Sequence, residues 1–173
     1  MAALNYKILI VDDEPPIRGL LVSFLSSSGH KCDTAGNGKE ALDRLGQNQF
    51  DAVITDVVMP EMDGITLTRE ISQKYPDLPV MVMTGFSDEY SAQKAVSAGA
   101  REFIKKPFSI AEFSLRLNKM MRDHEILREI NAKKEEIEEI SNQMISGLQI
   151  ESREKIENLR REKEDLKKKL REE

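Results

Sequence analysis

The chain has 173 residues, a net charge of −5 and a single cysteine, Cys32. That is room for one ordinary domain and an extension, with no charge excess to suggest nucleic acid as the main partner. No apolar run reaches the ~20 residues of a membrane span, Met1 to Lys7 does not read as a signal peptide, and no disulfide framework or cysteine-based metal spacing exists, so a cytoplasmic setting is expected. Lys7 to Val11 is a continuous apolar run, a strand buried on both faces of a parallel sheet, and it ends in Asp12-Asp13-Glu14. Pro15-Pro16 opens a helix carried by Ile17, Leu20, Leu21, Phe24 and Leu25 and ended by Ser26 to Gly29. A second strand, Lys31 to Ala35, holds Cys32, read as a small core residue. Asn37 then starts a helix with Glu40 three residues past the cap, its inner face Ala41, Leu42 and Leu45 and its stop Gly46.

Ala52 to Thr55 is a third buried strand, ending in Asp56, with turn residues at Pro60 and Asp63-Gly64. Ile65, Leu67 and Ile71 mark a third helix halted at Tyr75-Pro76. Val80 to Met83 is a fourth strand ending in Thr84-Gly85, and Ser87-Asp88 caps a fourth helix stopped by Gly99. Phe103 and Ile104 sit in a fifth strand ending in Lys105-Lys106-Pro107, and Ser109 with Glu112 is a capping box for a fifth helix. Five strands alternating with helices predict a doubly wound α/β sheet with right-handed crossovers.

After about Phe113 there is neither proline nor an aromatic residue, and roughly half the residues are charged, the mark of a long solvated helix. At 1.5 Å per residue, ~64 helical residues span roughly 95 Å. Ile126, Ile130, Ile137, Ile140 and Met144 form a coiled-coil seam with Lys133 inside. Ile156, Leu159, Leu166 and Leu170 form a second seam, out of phase with the first and with Lys163 inside. The segment Met144 to Ile150 between them contains the helix's only glycine, Gly147. A stutter is the favoured reading there and a hairpin turn the other.

Asp12, Asp13, Asp56, Thr84 and Lys106 are all delivered to the carboxyl ends of strands, the edge where open α/β sheets bind ligands. Clustered carboxylates call for a cation, and an all-oxygen set with an open coordination sphere suits Mg²⁺. A lysine and a hydroxyl beside it suit phosphoryl oxygens. The combination of Val11-Asp12-Asp13-Glu14, Thr55-Asp56 with Met59-Pro60 and Asp63-Gly64, Met83-Thr84-Gly85 and Lys106-Pro107-Phe108 resembles the receiver domain of two-component response regulators, over roughly residues 5 to 123.

The resemblance implies a five-stranded flavodoxin-like domain over 1–123, and the apolar seams make 124–173 a coiled-coil signalling helix. It implies that Asp56 accepts a phosphoryl group from a histidine kinase or phosphotransfer protein. Asp13, Asp56 and the Val58 carbonyl would hold Mg²⁺, with Asp12 acting through a metal-bound water. Lys106 would pair with the phosphoryl group and Thr84 would hydrogen-bond to it. Phe103 would be the aromatic switch, and the Lys106–Pro107 bond would be cis. Val58 and Phe86, both apolar at positions that tune phosphate lifetime, imply a long-lived aspartyl phosphate.

No separate catalytic domain is legible. The helix is expected to form a parallel homodimer, although Lys133 and Lys163 then stack on their own copies, which antiparallel pairing or a hairpin would avoid. An alternative is a regulatory segment of a longer protein whose effector, such as a diguanylate cyclase or phosphodiesterase, follows residue 173. A lower one makes His124 a phosphotransfer residue on a faint kinase-like Asp123-His124-Glu125 echo, for which an exposed helix histidine is the plainer account. The basic residues of the helix are interleaved with acidic ones, a solvated face rather than a nucleic-acid surface.

Overall fold

The computed structural model describes residues 5–85 and 89–172, of which 89–91 and 166–172 as backbone only. Five parallel strands form one sheet: β1 (Lys7–Val11), β2 (Lys31–Ala35), β3 (Ala52–Asp56), β4 (Val80–Thr84) and β5 (Glu102–Lys105). They lie in the order β2-β1-β3-β4-β5. The helices between them are α1 (Pro15–Ser27), α2 (Gly38–Gln47), α3 (Gly64–Lys74), α4 (Glu89–Ser97) and α5 (Ile110–Glu172). The doubly wound sheet is thus the one the alternation predicts, its flavodoxin-like form the one the resemblance implies, and the long helix the one the charged composition after Phe113 predicts.

The three central strands are buried on both faces, and their alternating side chains divide the core in two. Ile8, Ile10, Ala52, Ile54, Met81 and Met83 face α1 and the first turns of α5, where Leu21, Leu25, Phe113 and Leu117 meet them. Leu9, Val11, Val53, Val80 and Val82 face α2, α3 and α4 through Ala41, Leu45, Leu67, Ile71 and Ala95. Each fully buried aliphatic side chain contributes about 1.5–3 kcal/mol, so this two-sided burial dominates the stability of the sheet. Phe113 anchors the base of α5, edge-on to Phe24 at 6.1 Å and stacked on Phe108 at 5.6 Å.

Several local expectations meet the backbone directly. Asn37 caps α2 by accepting from the Glu40 amide. The Glu40 carboxylate, however, reaches back to the Gly36 amide at 2.7 Å rather than to the cap residue. Gly46 does not close α2, which runs on to Gln47 with Asn48 as its C-cap. Asp63 and Gly64, expected as turn residues, begin a helix instead. Asp63 caps α3 through the Thr66 amide and Gly64 is the first residue of that helix. The positive φ of that loop, 65°, belongs to Glu61. Gly99 ends the α4 segment with φ 104°, and the Lys106–Pro107 bond is cis. The cap expected at Ser87-Asp88 and the tuning position Phe86 lie outside the described residues, as do the side chains of Leu166 and Leu170.

The chain divides into two units, Met1–Glu125 and Ile126–Glu173. In the second, α5 continues through Gly147 without a break, so that segment does not form a hairpin turn. Among the described residues no helix is long and apolar enough to cross a membrane.

Candidate functional site

The strand order reverses between β1 and β3, and the crevice beyond the carboxyl ends of these two strands is where an α/β sheet accepts a ligand. Asp12 follows β1, Asp56 is the last residue of β3, Thr84 the last of β4, and Lys106 follows β5. Register makes them neighbours. Val11 lies opposite Thr55, Asp56 opposite Met83, and Thr84 opposite Lys105.

Asp12 and Thr84 are fully buried and Asp56 is 7% exposed. The Lys106 ammonium lies 2.7 Å from Asp56 Oδ1 and 3.0 Å from Asp12 Oδ2, bridging the two carboxylates. Asp56 Oδ2 accepts from the Val58 amide at 2.9 Å, and Asp12 Oδ1 from the Glu14 amide at 2.9 Å. Burial lifts the Asp56 carboxyl above the usual range, and the charge of Asp12 adds to this, against the pull of Lys106 and the Val58 amide. Burial alone would lower Lys106, but its bonds to Asp56 and Asp12 prevail and hold it above an ordinary lysine.

The backbone around Asp56 is as crowded as its side chain. A Cβ on Gly64 would stand 1.9 Å from the Asp56 carbonyl oxygen, so only glycine lets α3 begin here. Its amide donates to the Val57 carbonyl at 2.9 Å, and the Thr55 hydroxyl to the Asp56 carbonyl at 2.9 Å. These contacts fix the loop that carries Val58. The Thr84 hydroxyl is buried and has no hydrogen-bond partner among the described residues. A buried donor left without an acceptor costs about 1–3 kcal/mol, so such a group is an invitation to a ligand oxygen.

Asp12, Asp56 and Lys106 therefore meet directly, and Thr84 ends the neighbouring strand with its carbonyl accepting from the Lys106 amide. Asp13 is exposed, and among the described residues no group of three or more acidic, histidine or cysteine side chains gathers in the manner of a metal cage. Lys106 stands as the cation between the two buried carboxylates. The donor set still fits Mg²⁺, which is commonly held by one or two carboxylates with waters and phosphoryl oxygens completing the sphere.

Phe103, on β5, is half-buried on the face toward α4, with the Arg116 guanidinium 5.9 Å from its ring. Val58 is 75% exposed at the mouth of the crevice. His124 is half-buried on α5, next to Glu125, which accepts from the Tyr6 hydroxyl before β1 and so belongs to the opposite edge of the sheet. Cys32 is a half-buried free thiol packed against the core.

Sequence reasoning missed Arg18, whose guanidinium donates to the Asp12 carbonyl and tethers the first turn of α1 to the carboxylate pair. An arginine on the polar side of an amphipathic helix carries no signal for such a bond. It also missed the closeness of Gly64 to Asp56, which depends on where α3 starts.

Residues 8–118 match the response regulator receiver domain. The response regulator MprA of Mycobacterium sp. (strain KMS) is 35% identical over 116 residues, 67% of this chain and 50% of that one. The DNA-binding transcriptional regulator NtrC of Escherichia coli (strain K12) is 40% identical over 105 residues, 61% of this chain and 22% of that one. The chain thus spans half or less of the length of these relatives. Among solved structures, NtrX from Brucella abortus superposes with a TM-score of 0.71 at 32% identity, covering 74% of this chain and 29% of that one. A response regulator receiver domain protein from Clostridium thermocellum superposes at 0.67 and 32% identity, covering 72% of this chain and 99% of that one. With the sheet order, the carboxylate pair, the lysine bridge and the matched residues in agreement, the chain belongs to the response regulator receiver domain family of two-component signalling.

Proposed function

We propose that Asp56 is the phosphoacceptor of a Mg²⁺-dependent transfer from the phosphohistidine of a histidine kinase or phosphotransfer protein. The reading divides the chain into a receiver over 1–123 and an output helix over 124–173. The observation that carries it is the pairing of a nearly buried carboxylate, held by Lys106 and the Val58 amide, with the orphaned hydroxyl of Thr84 on the adjacent strand.

Asp12, Asp13, Asp56 and the Val58 carbonyl are the groups that would hold Mg²⁺, which when bound supplies charge to neutralise phosphoryl oxygens. An Asp56 oxygen forms the new P–O bond while the P–N bond breaks, its electron pair leaving with the imidazole. Lys106 is already within 2.7 Å of Asp56 and is placed to pair with a phosphoryl oxygen as charge builds there. The Thr84 hydroxyl gains the acceptor it lacks by turning to a second oxygen. That movement opens space behind Thr84 for the ring of Phe103, which reshapes the face formed by α4, β5 and α5. Apolar Val58 orients no attacking water, and the phosphoryl group persists for much longer than seconds.

The helix unit couples this switch to self-association. Ile126, Ile130, Ile137 and Ile140 are about half exposed or more and find cover in the same face of a second copy, forming a homodimer.

Acetyl phosphate with Mg²⁺ adds one phosphoryl mass to the wild type and none to Asp56→Asn, measured on the intact chain. Equal uptake by both proteins overturns the assignment.

A further inference from the structure

The two out-of-phase heptad seams hide a simpler pattern. Ile126, Ile137, Leu148, Leu159 and Leu170 recur at intervals of eleven residues through the whole second unit. Eleven residues make three turns of about 3.67 residues each, so residues at this interval lie on one line of a helix that coils slightly to the right. The continuity of α5 through Gly147 keeps that line unbroken, and Leu148 stands in its middle rather than in a fault between two seams. Ile137, Leu148 and Leu159 are 67%, 60% and 56% exposed, an apolar line with no cover of its own.

The flanks of the line carry opposite charges. Three residues after each line position stand Glu129, Ile140, Glu151 and Glu162. Eight residues after it, on the other flank, stand Lys134, Ile145, Ile156 and Lys167. When two such helices run parallel and in register, one flank faces the other flank of the partner at an offset of five residues. Glu129 then meets the partner's Lys134, Glu162 the partner's Lys167, and Ile140 the partner's Ile145. In antiparallel pairing each flank meets its own kind, glutamate on glutamate and lysine on lysine. Lys133, beside the line, pairs its ammonium with Glu136 at 2.6 Å, and that carboxylate offsets the like-charge contact in register. Two helices matched over this length bury of the order of 1,000 Å² or more, the size of a specific interface.

We propose that this eleven-residue line binds a second copy of the chain, parallel and in register, as one continuous right-handed seam through Leu148. The proposal rests on the self-association of the helix unit proposed above and specifies its face, direction and register.

The test uses the full chain with Cys32→Ala and single cysteines at Ile137, Leu148, Leu159 and, as an off-line control, Ile150. Light scattering gives the mass and mild oxidation reads the contacts. Rapid disulfide dimers at 137, 148 and 159, with none at 150, are the expected result. A dimer that crosslinks only at 148 is antiparallel and overturns the proposal. One that crosslinks at 137 and 159 but not at 148 has two separate seams and overturns it as well. Crosslinking at 150 equal to that at 148 denies the face. A monomer at micromolar concentration sinks self-association itself, which separates the two failures. In the wild-type background, Glu129→Lys weakens the dimer and adding Lys134→Glu restores it. Weakening that the second exchange does not rescue rejects the proposed cross-pairing.

Discussion

At the scale of single residues, the pocket around Asp56 holds a carboxyl group at a cost in stability. The folded state holds Asp56 above the ordinary carboxyl range, chiefly by burial. An acid with a raised folded value loses stability as pH climbs through the unfolded and then the folded value, so at neutral pH its charge opposes folding. Asp56→Asn is therefore expected to raise Tm by a few degrees while abolishing phosphoryl uptake. A fall in Tm on scanning calorimetry would show that the bond from Lys106 outweighs the burial. Glu40 has the opposite sign. The Gly36 amide and then Arg44 hold it below the usual range, although its side chain remains 43% exposed and solvent screens part of the effect. Its contribution is present at neutral pH and lost as pH falls through the folded value. The stability gap between wild type and Glu40→Gln, read by urea denaturation, should close over that acid range. Gly64→Ala places a Cβ on the Asp56 carbonyl, where backbone must move, and should cost about 3 kcal/mol with loss of phosphorylation. At Gly38 only the Met62 side chain stands in the way, and the same change should cost about 1 kcal/mol. Urea midpoints of the two variants distinguish a backbone clash from a side-chain one.

At the scale of elements, strands and caps were legible because each obeys a local rule. β1, β3 and β4 are short apolar runs that end in a polar residue or run straight into one, and they proved buried on both faces. The loop after β3 was less legible. Asp63-Gly64 has the composition of a turn, yet that pair begins a helix and the left-handed residue is Glu61, held by Asn37 at 3.3 Å and Lys39 at 3.4 Å from the neighbouring loop. Turn chemistry marks a change of direction but not which residue absorbs the dihedral cost. The base of α5 has its own tether. The Tyr6 hydroxyl donates to Glu125 at 2.7 Å, with the Tyr6 ring stacked on His30 at 5.4 Å. Burial and this carboxylate push the Tyr6 phenol well above its usual value, so it remains a donor across the working pH range. Tyr6→Phe should cost about 1 kcal/mol and speed hydrogen exchange in residues 118–125, with the strand amides of β3 and β4 unchanged.

At the scale of the whole molecule, every residue of the two core clusters lies before residue 122. A chain ending at Glu125 should therefore unfold at the Tm of the full chain and still take up phosphate at Asp56. A drop of more than a few degrees would mean that the second unit stabilises the first. The apolar surface of the second unit has no such core to join, and its order in solution should depend on chain concentration, as far-ultraviolet circular dichroism of residues 124–173 would register.

Period and punctuation in the sequence were sufficient for the number of strands, the cap at Asn37 and the long helix, because each rests on neighbours within a few residues, and the strand ends pointed to Asp12, Asp56, Thr84 and Lys106 as candidates. Three things needed the tertiary structure. The lysine bridge across two carboxylates needs β1, β3 and β5 side by side, 94 residues apart in the case of Lys106 and Asp12. The orphaned Thr84 hydroxyl needs knowledge of every atom around it. The exposure of Asp13 beside the buried Asp12 depends on which side of the chain end β1 presents to solvent. Contacts that join distant parts of a chain leave no periodic trace in it, and it is these contacts that turn a set of strand-end residues into a site.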